Sequence, residues 1–393
     1  MPEAPAAKPE EPPLPLFAAA PGKGLVVTTR DKLFQIGLRP RIQLRTQLNH
    51  REVGPDELEV QVRTLRLTIN GYALTPDLKY TIQFAFGGGD FDNGVASPIF
   101  DAFIEYTRIR DFNIRVGQYF VPFDRARTIR EFALHFVDRQ QVVRELTLDR
   151  DVGIMFSSAD IGGLGGRLAY NVFLGGGDGR NRFADTKNAY GPQRPGFLAV
   201  GRLTVRPFGP FDDDQEGDIT RTKTPKLAIG VAGGYNRSAT RQRSTTGDTY
   251  TAGAYDYQHA AADLVFKLRG FALLAETVWR GADRESHARL DTATNKTVTE
   301  YSREGWGWFV QAGQMLTSRL EVVGRFEELH AKKGTDPALV RATAGNAGRQ
   351  TGGGLNLYLN GHAFKLQTDY IYVFADPSKN AQHLARLQLD ATF

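Results

Sequence analysis

From Leu33 to Leu48 apolar and polar positions take turns: Phe34, Ile36, Leu38, Ile42, Leu44 and Leu48 alternate with Gln35, Arg39, Arg41, Gln43, Arg45 and Gln47. A period of two over that length predicts a strand with one apolar and one wet face. The pattern returns at 78–87, where Leu78, Tyr80, Ile82, Phe84 and Phe86 interleave with Lys79, Thr81 and Gln83, and again at 112–119, 198–206, 365–372 and 386–393. Read between turn signals, it predicts about sixteen strands, at 33–49, 59–74, 78–88, 98–109, 112–121, 151–158, 166–175, 196–206, 226–236, 253–268, 270–281, 302–315, 318–328, 349–361, 364–376 and 381–393. Helical spacing is nearly absent. Within 59–74 the polar set changes parity, from Glu59, Gln61 and Arg63 to Arg66, Thr68 and Asn70, which predicts a β-bulge near Thr64.

The links between these strands alternate in length. Short ones at 75–77, 110–111, 317 and 362–363 are separated by long polar ones at 176–195, 237–252, 282–301 and 329–348. Short turns on one rim and long loops on the other are the arrangement of an outer-membrane barrel with its turns in the periplasm. The predicted fold class is therefore all-β, a transmembrane antiparallel β-barrel over 29–393. Two links stand out. The segment 207–225, with its acidic run Asp212, Asp213 and Asp214, is long but falls on the rim of short turns. The segment 122–150 opens with Asp124, Arg125, Arg127 and Arg130; a break of that length inside a compact fold is usually functional or disordered, and it is expected to fold inward as the third external loop and narrow the lumen.

Composition removes the alternatives. The 393 residues include no Cys and 3 Met, with 7 scattered His, so disulfide scaffolds, thiol enzymes and Cys-ligated metal sites are excluded and no cofactor or metal is expected. No stretch reaches the roughly 18 to 20 apolar residues of a spanning helix, whereas a barrel hides its apolar surface in alternate positions. No G-x-S-x-G motif occurs and the histidines lie apart, so an enzyme barrel is not expected. Residues 1–28 hold seven prolines and predict an extended or disordered head, with cell-wall contact as its possible use. The segment lacks a basic-then-apolar leader, so an exported chain is expected to have lost its signal.

Charge then suggests what passes. Of the 49 basic residues 36 are Arg, whose planar fork can grip phosphate-type oxygens with two hydrogen bonds. Arg39, Arg41, Arg45, Arg66 and Arg115 fall on wet faces, and with Arg125, Arg127 and Arg130 of the long loop they are the expected anion-contacting set. Glu105, Asp263, Glu276, Glu321, Glu327 and Asp369 are wet-face candidates too. An arginine row facing an acidic row occurs in weakly selective porins, so a general small-solute porin stays open beside anion selectivity, as does a structural barrel tethered to the cell wall by its head.

Several segments resemble the phosphate-selective porin O and P family of Gram-negative outer membranes: 59–67 (EVQVRTLRL), 116–123 (VGQYFVPF), 150–153 (RDVG), 175–181 (GGGDGRN), 308–316 (WFVQAGQML) and the terminal Phe393. They occur in that family's order and span most of 30–393. The resemblance implies a sixteen-stranded, commonly trimeric barrel in the outer membrane, with outer-membrane lipid around it, an inward third loop, and arginines that draw phosphate or other small anions through a narrow site. The second strand carries fewer arginines than that family's usual pattern.

Overall fold

The computed structural model describes residues 17–88, 90, 97–181, 196–291, 295–375 and 381–393. Two short strands come first, β1 (Phe17–Ala20) and β2 (Gly24–Thr28). They precede β3 (Phe34–Arg51), β4 (Glu57–Ala73), β5 (Thr75–Ala85), β6 (Ile99–Tyr106), β7 (Asn113–Phe120), β8 (Arg150–Ser158), β9 (Leu168–Gly175), β10 (Phe197–Val205), β11 (Lys226–Ala239), β12 (Tyr255–Leu268) and β13 (Phe271–Ala282). A separate hairpin, β14 (Ser286–Asp291) and β15 (Lys296–Tyr301), precedes β16 (Gly305–Met315), β17 (Leu320–Ala331), β18 (Arg349–Asn360), β19 (Phe364–Val373) and β20 (Gln382–Thr392). Leaving out the two hairpins, sixteen strands pair antiparallel with their chain neighbours, and β20 returns to β3 through Gln382↔Arg51 to Thr392↔Arg41, which closes the barrel. Closure matters physically because it leaves no edge of unpaired backbone groups. Every strand expected from the alternation is present.

The molecule is inside-out. Leu58, Val60, Ile104, Val116, Val231 and Leu387 are exposed on the outside, whereas Arg41, Gln43, Asp263, Glu276, Lys365, Gln367 and Asp390 are buried within. The expected bulge is at Arg63: Gln43 faces Thr64 while Leu44 faces Val62, so Arg63 is the extra residue. Its effect is to keep both polar sets of β4 inward, Gln61 and Arg63 above it and Arg66 and Thr68 below, despite their opposite parity.

Three expectations from the chain are corrected. The head was expected to stay extended as far as residue 28, yet β1 and β2 form a hairpin whose second strand pairs with Gln35 to Leu38 of β3. At the seam β20 ends opposite Arg41, so the first residues of β3 lack a ladder partner there, and the run Leu25, Val26, Val27 supplies one. Gly24 permits the approach: its φ is +76° and a Cβ would lie 2.1 Å from the Leu38 carbonyl oxygen. The rest of the proline-rich head, 1–16, lies outside the described residues. Second, the link 282–301 contains the β14–β15 hairpin, whose residues are mostly exposed and so carry no clear apolar face. Third, the long link 207–225, placed by the chain on the rim of short turns, folds inward as a strap. Its Glu216 backbone N–H donates to the Ala133 carbonyl (3.1 Å), the Glu216 carboxylate accepts from the His135 N–H (2.5 Å), and the Lys267 ammonium donates to the Asp212 and Gly217 carbonyls.

Candidate functional site

The segment joining β7 to β8 crosses the barrel interior. It holds two short helices, α1 (Arg125–Thr128) and α2 (Gln141–Leu146). Asp124 caps α1, accepting from the Arg127 N–H (2.6 Å). Its apolar side chains Val121, Phe123, Val142, Leu146 and Leu148 pack on Phe173, Leu198, Val200, Val278 and Leu329 of the wall, and Ile129, Leu134 and Val143 pack on Val265, Leu274 and Phe309. Those wall residues are apolar positions on an otherwise wet face, which makes a bed for the loop.

The wall's acids hold the loop's backbone. Glu276 accepts from the Arg125 and Ala126 N–H groups (3.0 Å each), Glu327 from Val142 (3.3 Å) and Asp369 from Val137 (2.9 Å). Donors from the same wall take the carbonyls: Lys365 and Gln367 that of Leu134, Asn356 that of His135, Arg280 that of Glu145. Asp263, Glu276, Glu327 and Asp369 therefore lie under the loop with their charge engaged, rather than across water from the arginines.

Among the described residues, open space between the loop and the wall from β18 round to β8 forms two chambers that share Glu131 and Arg139. The chamber toward the long-loop rim, of about 540 Å³, is lined by Arg45, Arg63, Arg127, Arg139, Arg144 and Arg386 against Glu59, Glu131 and Asp138. The chamber toward the short-turn rim, of about 170 Å³, is lined by Arg39, Arg41, Arg66, Arg130, Arg139 and Arg150 against Asp101 and Glu131. Glu131 and Arg139 line both and so mark the divide.

Of the expected set, Arg39, Arg41, Arg66 and Arg130 line the smaller chamber and Arg45 and Arg127 the larger. Arg41 makes a bidentate pair with Asp390 (2.6 and 3.0 Å), Arg45 reaches Asp138 (3.0 Å) and Gln388, Arg66 pairs with Asp90 and with Glu131 (3.0 Å), and Arg127 pairs with Asp149. Arg130 contacts Asp101 at 3.2 Å but stays half-exposed. Two lie elsewhere. Arg125 is buried between Asp213 of the strap (2.9 Å) and Asp263 of β12 (2.6 Å), and Arg115 pairs with Glu105 (2.7 Å) and stacks on Phe103. Sequence reasoning did not single out Arg63, Arg139, Arg144, Arg150 or Arg386. The alternation of β20 could have found Arg386, which shares a face with Gln388 and Asp390; Arg139 and Arg144 sit in a loop without period. Among the described residues Arg39, Arg63 and Arg144 have no carboxylate within ion-pair distance.

Burial alone would push the Glu131 carboxyl up, but Arg66, Arg139, Arg41 and Arg63 outweigh it and hold it well below the carboxylate range. Asp138 is likewise raised by burial and lowered further by Arg386, Arg45 and Arg63. Burial and Arg127 bring the Arg139 guanidinium down to about 10. Depressed carboxyls stabilise the fold above their unfolded values near 4 and lose that contribution as pH falls through the folded ones. Between pH 7 and 5 both acids thus stay ionised, and the anion-to-cation permeability ratio in a bilayer should stay within about twofold; a severalfold change over that interval would contradict the assignment.

The family model described as phosphate-selective porin O and P matches residues 34–393. No curated protein matches in sequence. Among solved structures, the chain is similar to the outer membrane channel DcaP of Acinetobacter baumannii (14% identity, TM-score 0.53, covering 94% of this chain and 100% of that one). It is also similar to OmpF of Salmonella typhi in complex with daunomycin (12%, 0.54, 92% and 98%) and to the anion-selective porin of Comamonas acidovorans (10%, 0.53, 92% and 100%). At these identities the likenesses establish the fold.

Proposed function

The chain belongs to the phosphate-selective porin O and P family and is an outer-membrane porin channel; from that premise we propose that it passes small anions, phosphate-type oxyanions among them, through the arginine-walled passage, with the β7–β8 loop as its constriction. The observation that carries this reading is where the inner-wall acids go. With Asp263, Glu276, Glu327 and Asp369 committed to the loop backbone or to arginines, the open chambers keep six arginines against two carboxylates on one side and six against three on the other. An ion entering such a space exchanges water for fixed donors, and a guanidinium fork replaces the shell of an oxyanion better than that of a cation. Arg39, Arg63 and Arg144, which have no carboxylate within ion-pair distance among the described residues, add positive charge to the passage. Assembly as a homotrimer belongs to the same proposal and rests on the family resemblance.

The test is the reversal potential of the purified barrel in a planar bilayer across a tenfold KCl gradient, followed by titration of inorganic phosphate against the chloride current. The expected sign is that of anion preference, with phosphate reducing the chloride current at concentrations well below chloride's own. A zero or cation-signed potential would return the protein to general diffusion.

A further inference from the structure

The two chambers differ in one respect that charge does not explain. Three phenyl rings, Phe103, Phe120 and Phe132, line the smaller chamber, whereas among the described residues no aromatic side chain lines the larger one, whose wall is chiefly amide and arginine with four aliphatic side chains. Each of the three rings is half-buried, so part of its surface faces the open space. Apolar surface left against water is unfavourable, and conduction of an inorganic oxyanion recovers none of that cost. A solute with an apolar body of its own would.

Resting on the anion reading above, we propose that the smaller chamber is a binding station for small organic anions that carry one flat ring, of the arylcarboxylate class. Its volume of about 170 Å³ suits one ring; apolar cavities of about 150 Å³ accommodate a benzene molecule. The rings already accept planar cations on their faces: the Arg150 guanidinium lies 3.6 Å from the Phe120 centroid and that of Arg130 5.5 Å from it. The same lining thus offers a carboxylate the unpaired fork of Arg39 and the half-exposed one of Arg130, and offers the ring behind it edge or face contact with the phenyl groups. The larger chamber gives the charge a partner, but its apolar lining is aliphatic only, Leu134, Val137, Val373 and Leu384, with no ring face among the described residues. Selection by ring therefore belongs to the short-turn half of the passage.

The experiment compares benzoate with acetate at pH 7, where both are singly charged, as inhibitors of the chloride current through the intact barrel in a planar bilayer. Benzoate should halve the current at a concentration on the order of tenfold below that of acetate, the scale of one aromatic contact in a partly desolvated site. The Phe103→Leu, Phe132→Leu double variant keeps apolar bulk and removes two ring faces, and should bring the two concentrations within about threefold. Equal inhibition by benzoate and acetate in an unaltered, anion-preferring channel would overturn this inference and leave the anion reading intact; an unaltered channel without anion preference would overturn the reading beneath it. A benzoate advantage that survives the double variant with Phe120→Leu added would also overturn the inference, because no ring of this chamber would then remain to recognise it.

Discussion

Reversing two charges together, Arg39→Glu and Arg130→Glu, should abolish the anion preference of the channel. These two are chosen because their loss leaves the buried ion pairs standing: Arg39 has no carboxylate partner among the described residues, and Asp101, which meets Arg130 at 3.2 Å, keeps Arg150 at 2.6 Å. The smaller chamber would go from six arginines against two carboxylates to four against four. A unit charge about 4 Å from a passing ion is worth about 1 kcal/mol even at the dielectric of water and about 4 at the effective value near a protein surface. Two reversals should therefore lower the anion-to-cation permeability ratio by at least about thirtyfold, bringing the reversal potential to zero or past it. The effect should be largest in 0.1 M salt, where the screening length is about 10 Å, and shrink in 1 M, where it is about 3 Å. A ratio unmoved in dilute salt would remove this wall from the selectivity mechanism.

Arg125→Met should do the reverse, leaving ion preference alone and weakening the fold. Arg125 joins the loop to the strap through Asp213 and to β12 through Asp263, and is almost wholly buried. Removing one member of a buried ionic group costs about 3–5 kcal/mol, mostly through the charge left behind. Here Arg206 still reaches Asp213 and Arg202 still reaches Asp263, so the lower end of that range is expected. The thermal midpoint of the detergent-solubilised barrel should fall by several degrees while the reversal potential of the surviving channels stays where it was. A stable variant with altered selectivity would place Arg125 at the passage after all.

Arg125 and Arg130 show how far the chain could be read. Both lie in a loop that opens with Asp124, Arg125, Arg127 and Arg130, and nothing in that order separates the one that faces water from the one that braces the interior. Strand residues are different, because a period of two fixes the face: Arg39, Arg41, Arg45 and Arg66 were assigned inward by alternation and do line the passage. The parity change in β4 gave the bulge for the same reason. The acids of the far wall were assigned to the right face, yet their use was out of reach, since a wet face covered by a loop looks the same in sequence as one covered by water. The rings at Phe103, Phe120 and Phe132 escaped because apolar residues in a barrel strand are taken to face outward, and Phe132 has no strand to give it a face. The strap at 207–225 was visible only as an anomaly of length; its partners, Ala133, His135 and Lys267, are tens of residues away.

That strap changes how the passage works mechanically. A loop anchored only at its two ends could swing like a flap and set the bore by its position. Here it is clamped from beneath by a segment arriving from the opposite mouth, through Glu216 on His135 and Asp213 on Arg125, and from the side by β12 to β19. Widening the bore would break contacts with two separate parts of the molecule, the strap and the wall, at once. Throughput is accordingly governed by which solutes occupy a rigid orifice and for how long, and voltage or pH can act on it by changing that occupancy rather than by moving a shutter.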